Sequence, residues 1–339
     1  MEAKAINVSL DMTEGLLFEL FTKKVKVSEV PLLFILGSPR TGSTVIYQLL
    51  INYIKPFYFS NFIEEHFATS PALGAVFERV LNPRLPVSYN SAYGKTEGLW
   101  EPSEASMVFR HWFGGDHPSQ IKSCNVLPGQ EFHLLATMQT IYGLMGRMIV
   151  TKNAWNCFRI EALTRLFPRA HFLWIRRDIG LSALSDLKAR YVRGGPTVWN
   201  SATTANYQEI QKMPYWEQVV EQQYEYNRSI AANLEKFSRG QFFELWYEEL
   251  CDSPETQLDR LQSYFIEHNE PIELTRNASP VLQCSQGERD RGQDYTKIRH
   301  YINQHKKRFQ SHVYVASRGN HWSFSPDTGL PGIRTDLNR

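Results

Sequence analysis

Residues 31–44, Pro-Leu-Leu-Phe-Ile-Leu-Gly-Ser-Pro-Arg-Thr-Gly-Ser-Thr, limit what this chain can fold into more than any other stretch. Leu32 to Leu36 is a short unbroken apolar run, the pattern of a central strand covered on both faces of a parallel sheet. Gly37 and Gly42 let the backbone turn tightly and bring its N–H groups against an anion. Ser43 and Thr44 then open an amphipathic helix, Val45 to Tyr53, whose N-terminus adds a favourable dipole. The glycine spacing matches the Walker A loop, but Ser43 stands where that loop has its lysine, and the positive charge has moved back to Arg40. The segment is built to grip a phosphate and poorly suited to Mg-dependent nucleoside triphosphate chemistry.

Composition narrows the partners. With 37 basic against 35 acidic side chains the net charge is +2, which argues against a broad basic face for nucleic acid but leaves room for a local anion pocket. No apolar run approaches a membrane span, and the first ten residues lack the apolar core of a signal peptide. Cys124, Cys157, Cys251 and Cys284 are scattered with no C-x-x-C pair, so free thiols in a reducing, cytoplasmic setting are expected. At 339 residues, 42% of them hydrophobic, the chain can bury one large core.

Strand and helix patterns alternate along the chain. Residues 56–62 form a candidate second strand, and Ser70-Pro71 a cap and first-turn proline for a helix to about Leu81. Residues 82–127 are irregular and rich in Pro, Gly, Trp, His and Tyr, which suggests a substrate-covering insertion with short helices. Helical periodicity over 128–148 leads into Ile149-Val150-Thr151-Lys152, then a helix over 158–167 and a buried strand, His171 to Ile175, ending in Arg176-Arg177-Asp178. A helix to about Arg190, a mobile loop over 191–214, a long helix over 215–237, a strand over 241–247 and a helix over 254–265 follow. The alternation predicts an α/β fold with a doubly wound, mainly parallel sheet, in a single domain over 1–339. Ligands of such sheets sit beyond the carboxyl ends of the strands, where Arg40, Lys152 and Arg177 would converge. A Walker B strand would end there in a carboxylate for Mg²⁺; here two arginines precede Asp178, which reads as a helix N-cap rather than a metal ligand. Cations at three strand ends suit a nucleotide with separated phosphate groups.

Separated stretches, in order, resemble the sulfotransferases that use 3′-phosphoadenosine 5′-phosphosulfate (PAPS). Gly37-Ser-Pro-Arg-Thr-Gly-Ser-Thr44 resembles the 5′-phosphosulfate loop of bacterial-like members that carry Pro-Arg-Ser-Gly-Thr-Thr, and Thr151-Lys152 the Lys-Thr/Asp-Pro segment, from which Asn153-Ala154 departs. Phe167-Pro-Arg-Ala-His-Phe-Leu-Trp-Ile-Arg-Arg-Asp178 resembles the run that ends in Arg-Asp-Pro, with Ile179 in place of the proline. Ser185 stands eight residues beyond Arg177, at the family's 3′-phosphate serine; spacing alone leaves Ser182 open as well. Leu245-Trp-Tyr-Glu-Glu-Leu250 resembles the Tyr-Glu-Asp-Leu run, and Ser317 to Trp322 weakly resembles the C-terminal basic loop.

The resemblance implies PAPS as donor, adenosine 3′,5′-bisphosphate as product and no metal. It places Arg40, Thr41, Gly42, Ser43 and Thr44 on the donor, together with Arg177, Ser185 and Tyr247. Arg40 and Lys152 would stabilise the leaving bridging oxygen, and Glu64 or Glu65 would take the acceptor's proton. Glu101, Glu104, His111 and His117 are further candidates for the base. The acceptor is expected to be a hydroxyl or amine of a small molecule or glycan, met by aromatics such as Tyr89, Tyr93, Trp100, Phe109, Trp112, Phe113, Tyr191, Trp199 and Tyr207. A nucleotide kinase or hydrolase, and a catalytically silent scaffold of the same fold, are the competing classes.

Overall fold

The computed structural model of the chain describes residues 2–82, 86–89, 91, 94–115, 125–275 and 292–315, with side chains from residue 12 onward. Four strands organise it: β1 Leu32–Leu36, β2 Ile149–Lys152, β3 His171–Arg176 and β4 Phe242–Trp246. Their order is β2-β1-β3-β4, and every neighbouring pair is parallel. The doubly wound α/β expectation therefore holds. Because side chains alternate along a strand, the apolar runs feed two cores. Leu32, Phe34 and Leu36 join Phe172 and Trp174 under the Gln130–Met145 and Ile160–Leu166 helices. Leu33 and Ile35 join Leu173, Ile175 and Leu245 under the Ser43–Ile54 and Pro254–Glu267 helices. A third cluster ties the Ile179–Val192 and Tyr215–Phe237 helices to Gln293–Gln304 through Leu187, Val219, Ile298 and Phe309.

The register pairs Ile35 with Lys152, Leu36 with Trp174 and Arg176 with Trp246, so the carboxyl ends of all four strands lie along one edge of the sheet, with β3 and β4 running two residues past the end of β1. Gly37, Lys152, Arg177 and Tyr247 follow or close those ends and line one cavity there.

Several expectations need correction. Residues 56–62 are not a strand: Phe57 makes one isolated parallel bridge to Ile149, and Ser60 then caps a helix, Asn61–His66. The Pro71–Leu81 helix starts as expected, but Ser70 contributes no side-chain cap bond. Its cap comes from Glu14, whose Oε1 accepts from the N–H groups of Ala72 at 2.7 Å and Leu73 at 3.3 Å. Glu14 lies on the Glu2–Phe21 helix, an element additional to those expected from the sequence. The other Glu14 oxygen meets His133 Nε2 at 3.0 Å, while Trp112 Nε1 donates to His133 Nδ1 at 2.8 Å. Since Nδ1 accepts, the ring proton sits on Nε2, toward Glu14. Cys157 is a free buried thiol, but Cys251 is disulfide-bonded, against the expectation of free thiols. Cys124, Cys284, Tyr93, His117 and the 317–322 loop lie outside the described residues. Among the described residues no helix is long and apolar enough to cross a membrane.

Candidate active site

The loop after β1 is bent by two residues in the left-handed region, Arg40 at φ 69° and Gly42 at φ 89°. Glycine is required at 42 for a second reason: an added Cβ would fall 2.2 Å from the Tyr247 ring. The loop is also held from behind. The Gln223 amide donates to Pro39 O at 3.0 Å, the Thr41 hydroxyl to Ser38 O at 2.9 Å, and the Cys157 thiol to Gly37 O at 3.4 Å. Burial pushes the Cys157 thiol up to about 12, which keeps it a neutral donor. The first turn of the Ser43–Ile54 helix is left facing an open cavity of about 1160 Å³ lined by Ser43, Thr44 and Val45.

Cations approach that cavity from three strand ends. Lys152, 7% exposed, donates to Thr44 Oγ1 at 3.2 Å and is ion-paired with Glu104. An ideal Cβ at Gly94 would meet Glu104 Oε1 and Thr44 Oγ1 at 3.7 Å and Arg40 Nη1 at 3.9 Å, so these groups share one small locus. On its other side Arg40 donates from Nε to Ser185 Oγ at 3.2 Å. Arg177 donates to Arg40 O at 2.9 Å, and its guanidinium lies 4.8 Å from the Tyr247 ring centroid. Burial lowers the Arg177 pKa below the usual arginine value, opposed by Tyr247, Glu248 and Asp178. A buried guanidinium in such a place is strongly favoured by an incoming anion.

The serine left open by spacing is resolved in placement. Ser182 is buried and its hydroxyl donates back to Asp178 O at 3.0 Å, whereas Ser185 lines the cavity beside Arg40. Arg176 turns the opposite way, between the Trp174 and Trp246 rings, and donates to Glu244 at 2.7 Å. Asp178 is a helix cap, accepting from Gly180 N at 2.9 Å and Leu181 N at 3.1 Å. Asn153-Ala154, which departs from the Thr/Asp-Pro of the resembled segment, still fixes the strand end: Asn153 Oδ1 accepts from Trp155 N and its Nδ2 donates to Glu104 O at 2.9 Å.

Glu64 and Glu65 both line the cavity, on the Asn61–His66 helix. Glu65 is exposed, whereas Glu64 is half-buried and accepts from Met107 N at 3.1 Å. Burial raises the Glu64 pKa above the usual carboxylate value; the Met107 N–H opposes this and the Glu104 carboxylate adds to it. Glu104 reaches the centre of the site, which its position in an irregular segment did not reveal. Glu101 is turned away, accepting from Ser88 N at 2.8 Å, and His111 packs against the His133 ring. Among the aromatics expected to meet an acceptor, Trp199 lines the cavity, joined by Trp155. Phe109, Trp112 and Phe113 are core residues, at most 1% exposed.

Residues 31–267 match the sulfotransferase family. The omega-hydroxy-beta-dihydromenaquinone-9 sulfotransferase Stf3 of Mycobacterium bovis is 23% identical over 286 residues, spanning 76% of this chain and 68% of its own. The Mycobacterium tuberculosis protein of the same name matches to the same extent. Among solved structures, sulfotransferase STF9 from Mycobacterium avium is 15% identical, with 85% of this chain and 72% of that one covered and a TM-score of 0.46. The sulfotransferase domain from the curacin biosynthetic pathway is 17% identical, with 78% and 80% covered and a TM-score of 0.39. The match over residues 31–267 runs from the glycine-rich loop through all four strands, and the chain belongs to the sulfotransferase family.

Proposed function

We propose that this chain moves the sulfuryl group of PAPS to a hydroxyl or amine of a small-molecule or glycan acceptor. The observation that carries the reading is the meeting of Arg40, Lys152, Arg177 and Ser185 on one cavity, with Arg40 reaching both Ser185 and the Thr44–Lys152 locus. A donor with a 5′-phosphosulfate and a distinct 3′-phosphate suits that arrangement. The loop amides and the Ser43 and Thr44 hydroxyls hold the 5′ group, and Arg177 with Ser185 holds the 3′-phosphate. Tyr247, packed on Gly42 and under Arg177, keeps the two halves in fixed relation.

As the sulfuryl group leaves, charge builds on the bridging oxygen, where Lys152 and Arg40 offset it. Glu64, raised by burial toward the working pH, takes the acceptor's proton. The cavity is large enough for donor and a small acceptor together. The related Stf3 proteins are named for omega-hydroxy-beta-dihydromenaquinone-9, a hydroxyl compound within the class proposed here. The test is transfer of labelled sulfuryl from PAPS to a panel of alcohols, sugars and amines. Labelled product from PAPS supports the reading. Full-rate transfer of phosphate from ATP, with none of sulfuryl, would replace it with the kinase class.

A further inference from the structure

Glu78 is a buried carboxyl that the chemistry above does not use. It sits on the Pro71–Leu81 helix, 7% exposed, and its Oε2 accepts from the Ser60 hydroxyl at 2.8 Å. Asn82 donates to its Oε1 at 3.3 Å. Ser60 is itself fully buried and accepts from Ile63 N at 3.3 Å, capping the six-residue helix that carries Glu64. A helix that short does not hold its own geometry, so its placement is imposed from outside. A hydroxyl has one proton to give. With that proton fixed on Glu78, the serine lone pair is aimed at the Ile63 N–H.

The same segment is tied on its other side to the stretch that delivers Glu104. Ser60 bridges Pro102, Asn61 N donates to Glu101 O at 2.9 Å, and Ser103 N donates to Phe59 O at 2.8 Å. Burying a carboxyl carries a desolvation cost that an apolar side chain at 78 would not.

We propose that Glu78 is a positioning residue for the proton-accepting carboxylate: through Ser60 it sets where Glu64 stands in the cavity. This rests on the reading of Glu64 as the base. Glu78 lies outside the cavity lining.

The experiment compares Glu78→Gln, which keeps an acceptor oxygen for Ser60, with Glu78→Leu, which removes it. Turnover is read as adenosine 3′,5′-bisphosphate released from PAPS, with water alone and with simple alcohols and amines. Bisphosphate affinity is measured by calorimetry, and the Glu64 carboxyl is titrated by carbon-13 NMR, assigned with Glu64→Gln. Glu78→Leu should lower kcat about 10–100-fold at unchanged bisphosphate affinity, as a displaced catalytic group does. It should also return the Glu64 titration toward the ordinary glutamate range, while Glu78→Gln stays near wild type in all three readouts. Should Glu78→Leu fail to fold, Ser60→Ala removes the other half of the same bond and should give the same split. Wild-type turnover and an unmoved Glu64 titration in Glu78→Leu or Ser60→Ala would overturn the proposal. So would parallel loss of bisphosphate affinity, or a Glu78→Gln as damaged as Glu78→Leu. If Glu64→Gln turns over at the wild-type rate, the base assignment fails instead, and the NMR titration still decides whether Glu78 places Glu64.

Discussion

Replacing Gly42 by alanine perturbs the loop at its tightest point. Two costs are separable in the structure. The residue sits at φ 89°, where an L side chain is strained by about 1–2 kcal/mol. The new methyl would also fall 2.2 Å from Tyr247 Cδ2 and 2.5 Å from Cε2, an overlap that costs about 1–3 kcal/mol to relieve. Tyr247 cannot simply swing aside, because it is 9% exposed and has the Arg177 guanidinium 4.8 Å from its ring centroid. Gly42→Ala should therefore lose about 3 kcal/mol in urea unfolding and weaken adenosine 3′,5′-bisphosphate binding in calorimetry. The double variant Gly42→Ala/Tyr247→Ala removes the overlap but keeps the backbone strain. Its loss should be smaller than the sum of the two single losses by about 1–3 kcal/mol. A Gly42→Ala protein with wild-type stability and affinity, or strictly additive losses in the double variant, would refute this reasoning.

Other expectations follow from the same contacts. Lys152→Ala should lower kcat more than it weakens bisphosphate binding, since its charge matters most as the bridging oxygen becomes anionic. Because Glu104 pairs with Lys152, the comparison belongs in a Glu104→Gln background, where no carboxylate is stranded; equal loss in both parameters would remove the leaving-group role. Glu64→Gln should abolish most turnover at intact bisphosphate affinity while Glu65→Gln, on the exposed side, is tolerated; the reverse pattern would reassign the base. Burial pushes the Glu78 carboxyl from 4.5 to about 7, opposed by the Ser60 and Asn82 bonds. The folded state then holds a proton between those values that the unfolded state has lost. Stability relative to Glu78→Gln should be highest below pH 4.5 and fall by about 3 kcal/mol as pH rises to about 7. Parallel urea-unfolding profiles of the two proteins over that window would contradict this.

The parts of the site that lie close in sequence were legible. An apolar run into two glycines specifies a buried strand and a turn, and parallel strands bring Arg40, Lys152 and Arg177 to one edge whatever lies between them. Spacing could not choose Ser185 over Ser182, because one helical turn separates them; the choice depends on the Asp178 carbonyl that absorbs the Ser182 hydroxyl. Residues 56–62 misled because Phe57 and Phe59 alternate like strand residues, while a single bridge to Ile149 and the Ser60 cap are tertiary facts. Glu14 as the cap of a helix 58 residues away, and Glu104 as the partner of Lys152, carry no local signal. Both are ordinary carboxylates until distant segments close around them.

A cavity that reads a nucleotide by two separated anionic groups will show it in calorimetric titration without added metal. Adenosine 3′,5′-bisphosphate should bind far more tightly than AMP or ADP, and Arg177→Ala should cost about 2–4 kcal/mol of that affinity through its lost charge-assisted contacts. AMP binding as tightly as the bisphosphate, with Arg177→Ala indistinguishable from wild type, would contradict the account.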